Sequence, residues 1–467
     1  MLTLIIKIHQ ISPKWLLLSN VRALGMAGMV RAKPPMVLVV EEEPKGLLGE
    51  VARLVARDRV LVYPLTRAAL TSQPWQREAE VVVVEGVLGE GEVQVVARWL
   101  QGGGKVWDFG ANTALQEEGG YTVGERGEGL AGQLEQVLGE EVVEEQVAEL
   151  TPGYLVTSNP ATLAFLASLP SPAATRGRLA LHFEPPEELR PTEAAIPVLR
   201  GSCPGFDTEL YTSCLATRAL GQVVVVVPTI TSTQEALTCR LAHGLVVVAG
   251  RQVAGVGRGG NRWLSPPGAA MFSLQLHLTS SSLLPPSLLQ HLAALAVIQA
   301  AHATTGVTLA IKWPNDLYLG REVKVGGVVV AASSGPEGLS ATIGVGLNLD
   351  NPHPTTSLNR AAEEEGGKVV AREVLVAEVL GRLEVLVGRV EKGKWGEVEQ
   401  EYYSAWLHGG QEVVVEEAGG GRRQATVTGI DRFGFLRVTG EEGEFTVHDD
   451  GNSFDMMAGL VRPKARV

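Results

Sequence analysis

Two stretches of the chain hold residue types suited to charged chemistry. The first is Gly255-Val256-Gly257-Arg258-Gly259-Gly260-Asn261-Arg262-Trp263-Leu264-Ser265-Pro266-Pro267-Gly268. The second is Lys312-Trp313-Pro314-Asn315-Asp316, followed by Lys324-Val325-Gly326-Gly327. Glycines let backbone N–H groups come close to an anion, and arginine adds a forked cation, so the first stretch can wrap a phosphate. An Asn-Asp pair and a lysine near an apolar strand add a second set of charged contacts. Together they point to a site that handles a nucleotide phosphate and a carboxylate. The Gly-x-Gly-x-x-Gly spacing does not open a helix. Trp263 and Ser265-Pro266 stand where a dinucleotide-binding helix would run, so that reading fails its context. Singly, blander readings stay open: a glycine-rich surface turn, Trp263 as core or as a purine-stacking ring, an Asx turn at Asn315-Asp316, and Lys324 as a solvated strand-edge lysine.

The elements around these stretches divide the chain into units. From residue 36 to about 200, short β-branched runs (Val37–Val40, Val60–Val62, Val81–Val84, Val106–Trp107) alternate with helix-like segments such as Gly46–Arg57 and Glu92–Leu100. That alternation predicts a parallel sheet with crossover helices. A Glu-rich helical stretch and a run of prolines (Pro170, Pro172, Pro185, Pro186, Pro191) lead onward. The pattern over 206–400 predicts helices at Phe206–Leu220, Ser232–His243, Leu288–Thr304 and Arg372–Val390. It predicts strands at Val223–Val227, Leu245–Ala249, Phe272–Leu278, Thr308–Lys312, Val325–Ala332 and Ala341–Leu349. Out of strict alternation, these argue for an α+β unit. Residues 402–467 read as four short strands, Glu412–Val415, Ala425–Ile430, Leu436–Val438 and Glu444–His448, separated by glycine turns, as in a small β-barrel.

At 467 residues the chain has room for two or three domains. Its net charge of −12 disfavours nucleic acid or an anionic membrane as partner. Cys203, Cys214 and Cys239 are an odd number without a Cys-x-x-Cys pair, which argues against a disulfide framework or zinc site and for a reducing compartment. There is no cysteine before Cys203, so thiol amidotransferase chemistry is excluded for residues 36–200. No apolar run reaches the roughly 18 residues that span a bilayer. Residues 1–35 contain no Asp or Glu but include Lys7, Lys14, Arg22, Arg31 and Lys33, and read as either a targeting segment or a disordered start. The expected location is the cytoplasm or the mitochondrion.

From about residue 206 to its C-terminus the chain resembles the biotin protein ligases, and among them the eukaryotic holocarboxylase synthetases. The resemblance rests on Phe206–Tyr211, Thr231-Ser232-Thr233, Arg251-Gln252 with the glycine loop, Lys312–Asp316, Lys324–Gly327, Gly344–Asn348 and Asp450–Asp455, in that order. It implies a catalytic domain like the class II aminoacyl-tRNA synthetases, an SH3-like C-terminal barrel, and an N-terminal glutamine-amidotransferase-like α/β domain.

It also implies the chemistry. Biotin is activated by ATP with Mg²⁺ to biotinyl-AMP, then passed to a lysine of the biotin-carrier domains of carboxylases. Arg258, Lys312 and Lys324 would be catalytic. Ser232, Thr233, Gln252, Gly255 and Lys324 would bind biotin. Arg258, Gly259, Gly260, Trp263, Asn315, Asp316 and Asn348 would bind the nucleotide, with Asp316 a candidate Mg²⁺ ligand. One departure stands out: the family usually carries a cation where this loop has Val256. Nucleic acid and membrane are not expected partners, and a homodimer stays open. Two other readings remain, a lipoate or octanoyl ligase of the same architecture and a regulator that binds the adenylate without transferring it.

Overall fold

The computed structural model describes residues 36–40, 60–65, 67–72, 81–85, 87–108, 121–123, 149–156, 179–183, 185–238, 241–258, 261–279, 284–335, 338–353, 355–416, 421–448, 452–455 and 460–463, with isolated positions between them. The segment 1–35, most of the expected helix Gly46–Arg57, Cys239, Gly259, Gly260 and Asp450-Gly451 lie outside the described residues.

Five strands, β1 (Met36–Val40), β2 (Leu61–Pro64), β3 (Val81–Val84), β4 (Val106–Asp108) and β5 (Tyr121–Val123), form one sheet in the order β2-β1-β3-β4-β5. Every pairing in it is parallel. All four valines of β3 are buried, as a parallel sheet covered on both faces requires. The order is that of doubly wound α/β sheets. It leaves β2 at an edge.

The second sheet is built from β6 (Gly153–Val156), β7 (Ala180–Phe183), β8 (Ala195–Arg200), β9 (Val223–Ile230), β10 (Leu245–Gln252), β11 (Ala270–Leu278), β12 (Leu309–Lys312), β13 (Asp316–Leu319), β14 (Val323–Gly335) and β15 (Gly338–Leu347). Its order is β12-β13-β14-β15-β11-β10-β9-β6-β8-β7. This moves the expected boundary near residue 200. β6 pairs antiparallel with β9, Tyr154 facing Val226, and β8 and β7 follow outward, so these three strands extend the central sheet instead of the first one. The cause is long-range. The Val223–Val227 run is buried on both faces, Val224 and Val226 entering one core and Val223, Val225 and Val227 another, and such a strand needs neighbours on both sides.

The helix Leu289–Thr305 is buried nearly all round and ends at Gly306, whose φ of +85° suits a left-handed cap. It packs with Arg372–Glu391 in the main core through residues such as Leu292, Leu380 and Leu383. Two predicted helices are shorter than expected. Phe206–Leu220 is helical only over Thr208–Cys214, because the amides of Arg218, Ala219 and Leu220 donate to the Glu384 carboxylate at 2.7, 2.8 and 3.1 Å instead of to helical carbonyls. Among its described residues, Ser232–His243 is helical only over Thr233–Ala236, and Leu241 N–H turns to the Gln275 side chain at 2.7 Å.

The C-terminal strands β16 (Glu412–Glu416), β17 (Arg422–Ile430), β18 (Leu436–Gly440), β19 (Gly443–Val447), β20 (Asn452–Asp455) and β21 (Leu460–Pro463) form a third, mainly antiparallel sheet. It has two strands beyond the four expected. The chain is thus a mixed α/β multidomain protein.

Candidate functional site

The glycine loop folds as a small hairpin. Gly257 N–H donates to Asn261 C=O at 2.6 Å and Trp263 N–H to Gly255 C=O at 2.8 Å. Between those bonds Val256 and Arg262 face each other as an antiparallel bridge. Gly255 must be glycine, since a Cβ there would lie 2.5 Å from the Trp263 carbonyl oxygen.

The hairpin stands over a floor of linked polar side chains. Ser232 caps the helix Thr233–Ala236 by accepting from Gln234 N–H at 3.2 Å. Gln252 Oε1 accepts from Thr233 N–H at 2.8 Å and from its hydroxyl at 3.1 Å, while Gln252 Nε2 donates to Ser265 Oγ at 2.8 Å. The chain of contacts continues from Thr233 Oγ1 to Ser273 Oγ at 2.9 Å and from Ser273 Oγ to Gln234 Oε1 at 3.2 Å. Side chains so interlocked hold one geometry, which suits recognition of a neutral, hydrogen-bonding ring.

The second motif forms the opposite wall. β12 turns through a cis Trp313–Pro314 bond into β13, bringing Lys312 opposite Asp316. Asn315 docks this turn on β14, donating from Nδ2 to Val328 C=O at 2.6 Å while its own carbonyl accepts from Val328 N–H at 2.9 Å. β14 carries Lys324, whose Nζ lies 2.7 Å from Asp316 Oδ1 and 5.6 Å from the centre of the Trp263 ring. Trp263 in turn lies on β15 at Gly346, where a Cβ would come within 2.5 Å of the indole nitrogen. That indole N–H is buried without a protein partner.

Between the walls is a cavity of about 220 Å³. Ser232, Thr233, Gln252, Arg258, Trp263, Lys312, Asn315, Asp316 and Lys324 all line it, so the two motifs of the sequence meet in one place. Among the described residues, Arg258, Arg262, Lys312 and Lys324 face a single lining carboxylate, Asp316. On a chain of net charge −12 such a cluster marks a site for anions. Asn348 is placed differently. It is buried behind Lys324, donating to Thr355 Oγ1 at 2.8 Å, and Thr355 donates to the Lys324 carbonyl at 3.2 Å. Gly255 sits at the base of the hairpin. Asp316 is a lone carboxylate, and no group of three or more metal-binding side chains occurs among the described residues.

Several residues of the site were not singled out in the sequence. Arg262 is one, and it puts a cation directly across the bridge from Val256. Gln234 and Ser273 of the floor are others. β11 reads Phe-Ser-Leu-Gln-Leu-His-Leu over 272–278, which resembles a half-solvated strand, yet Ser273 and Gln275 are buried and bonded. The C-terminal unit contributes as well. His408 Nε2 accepts from Trp313 N–H at 2.9 Å, and the Trp313 indole donates to Gly434 C=O at 3.0 Å. Burial pushes the His408 imidazole down to about 4, with Lys312 and Arg321 lowering it further against a raising bond to Gln411.

Comparison with known proteins places the sequence in a family. Residues 226–348 match the biotin/lipoate A/B protein ligase family, and 408–457 match the biotin protein ligase C-terminal domain. The chain is 36% identical over 313 residues to the biotin--protein ligase of Homo sapiens, a match covering 62% of this chain and 43% of the human one. It is 30% identical over 282 residues to biotin--protein ligase 2 of Arabidopsis thaliana, covering 57% of this chain and 85% of the relative. A structure of the Aquifex aeolicus biotin protein ligase with biotin and ATP superposes with a TM-score of 0.41 at 25% identity, over 48% of this chain and 94% of that one. The chain belongs to the biotin protein ligase family.

Proposed function

We propose that the chain activates biotin with ATP and transfers it to a lysine of the biotin-carrier domains of carboxylases, as a holocarboxylase-synthetase type of ligase. The observation that carries this reading is the cavity's division into a neutral hydrogen-bonding floor and a cationic wall. The Gln252–Thr233–Ser273 floor suits the uncharged ring end of biotin. Arg258, Arg262, Lys312 and Lys324 suit its carboxylate and the phosphates of ATP. A carboxylate oxygen attacks the α-phosphorus, the bond to the bridging oxygen breaks, and pyrophosphate leaves. A neutral lysine amine of the carrier then attacks the acyl carbon, AMP leaves, and the amine loses a proton.

Two anions must meet in the first step, so fixed cations supply most of what the protein can contribute. Lys324 stands at the junction, held by Asp316 and facing Trp263. Asp316 is available to Mg²⁺ as one carboxylate ligand beside phosphate oxygens, a donor set that suits this ion. Bound there, Mg²⁺ would offset phosphate charge. Trp263 offers a flat face to adenine, and Asn348 acts from behind Lys324. The same reading extends to the architecture: a class II synthetase-like centre, an SH3-like C-terminal unit and a glutamine-amidotransferase-like first sheet.

Incubating the full chain with ATP and either biotin or lipoate, while following pyrophosphate release and label on a purified carrier domain, tests the proposal. Biotin-dependent release with carrier labelling is expected. Release with lipoate alone would mean a lipoate ligase, and binding of biotin and ATP without labelling would mean a regulator.

A further inference from the structure

We propose that Tyr63, from the first sheet, is a positioning residue for the hairpin over the cavity: its hydroxyl holds the backbone of Arg262. The amide of Arg262 donates to Tyr63 Oη at 3.2 Å, and Oη approaches the Arg262 carbonyl oxygen at 3.5 Å. The geometry of the hairpin explains why a partner is needed there. Hydrogen bonds flank the Val256–Arg262 pair on both sides, at Gly257–Asn261 and Trp263–Gly255. In an antiparallel ladder the residues of such a non-bonded pair turn their N–H and C=O outward. Arg262 therefore presents a polar backbone edge away from the hairpin, and a half-buried edge of that kind requires partners.

Tyr63 supplies them. It lies on β2, the edge strand of its own sheet, and its ring packs beside the Leu38 and Leu65 core. Burial pushes its phenol above the ordinary range, with Arg262 lowering it in part, so the hydroxyl stays protonated and can both donate and accept. The consequence reaches the site because Arg262, Val256, Gly257 and Arg258 are within one short hairpin and all line the cavity. Fixing one backbone edge of the hairpin fixes where its cations stand.

The experiment compares the full chain with Tyr63→Phe, which keeps the ring and removes only the oxygen. Without ligands, trypsin cleavage after Arg258 and Arg262 is timed by mass spectrometry against cleavage after Arg360, in the helix Leu358–Glu364, and after Lys394, just before the helix Trp395–Ser404. Loss of the clasp should speed cleavage in the hairpin by about three- to tenfold, the factor that one hydrogen bond is worth, and leave the distant sites unchanged. This arm is independent of the functional reading. The second arm rests on it: KM for biotin in adenylate formation should rise by a similar factor while kcat stays within about twofold. Unchanged hairpin cleavage would overturn the proposal, as would a uniform rise at every site, which would mean that the change only lowers overall stability. If the unaltered chain makes no biotinyl-AMP, the ligase reading fails and the cleavage comparison still decides the role of Tyr63.

Discussion

His408 ties the C-terminal unit to the wall of the site, and its protonation should loosen that tie. The segment after the helix Trp395–Ser404 runs alongside β12, with Ile311 N–H donating to Ala405 C=O at 2.8 Å and Leu407 N–H to Ile311 C=O at 3.1 Å. His408 then accepts from Trp313 N–H, at the start of the turn that carries Asn315 and Asp316. Its other nitrogen is 3.1 Å from Gln411 Oε1, which fits Nδ1 as the protonated one. A proton added at Nε2 would turn the acceptor into a second donor facing an N–H, in a residue with no exposed surface.

Burial and the nearby Lys312 and Arg321 hold this imidazole at about 4 in the fold, against 6.5 in the open chain. The unfolded chain therefore takes up the proton first. Stability falls as the pH drops below about 6.5, and the fall is complete below about 4. A shift of about 2.5 units corresponds to roughly 3 kcal/mol in full, of which about 2 kcal/mol is lost by pH 5. Urea unfolding of the unaltered chain and of His408→Gln, each at pH 7.5 and pH 5, isolates the effect, because all other titrating groups are shared. At pH 7.5 the variant should be less stable by about 1 to 3 kcal/mol, through the unpaired Trp313 amide. At pH 5 the difference should shrink by about 2 kcal/mol. A difference that stays constant between the two pH values would refute the reasoning.

Lys324→Ala removes the cation between Asp316 and Trp263, and adenylate formation should lose about 2 to 4 kcal/mol of transition-state stabilisation, read as a fall in kcat/KM. A change within about threefold would remove Lys324 from the catalytic set. Arg258→Ser should release biotinyl-AMP, visible by mass spectrometry as biotin on lysines of an unrelated bystander protein. No rise in such labelling, with adenylate still formed, would argue against Arg258 holding the intermediate. Arg262→Val should weaken biotinyl-AMP binding by about tenfold, the worth of one charge-assisted contact, and adding Val256→Arg should restore it by returning a cation to the facing position. Isothermal titration of the three proteins decides, and equal affinities throughout would mean that neither position meets the ligand.

That exchange also shows where the sequence stops being readable. Along the chain, Val256 reads only as a missing cation. Only the bridge reveals that Arg262, six positions on, faces the same spot, because cross-strand pairing depends on hairpin register and not on local composition. The motifs themselves were legible because glycine, proline and charged side chains impose local backbone and charge patterns. Six strands of the central sheet, β9, β10, β11, β12, β14 and β15, were legible as apolar or β-branched runs, whereas β6, β7, β8 and β13 were not. Long-range pairing was not: Tyr154 beside Val226, the Glu384 carboxylate under three amides near residue 219, and Tyr63 against Arg262 join segments whose separate sequences carry no mark of each other. β11 misleads for a related reason. Its alternation matches a sheet with one wet face, but that face is covered by the helix Thr233–Ala236, and Ser273 becomes part of the floor. A buried polar side chain must find a partner, so polar positions inside an otherwise apolar strand indicate either water or a built site. Here Gln234 and Thr233 decide between them, and Ser273 becomes part of the cavity floor while Gln275 bonds Leu237 and Leu241.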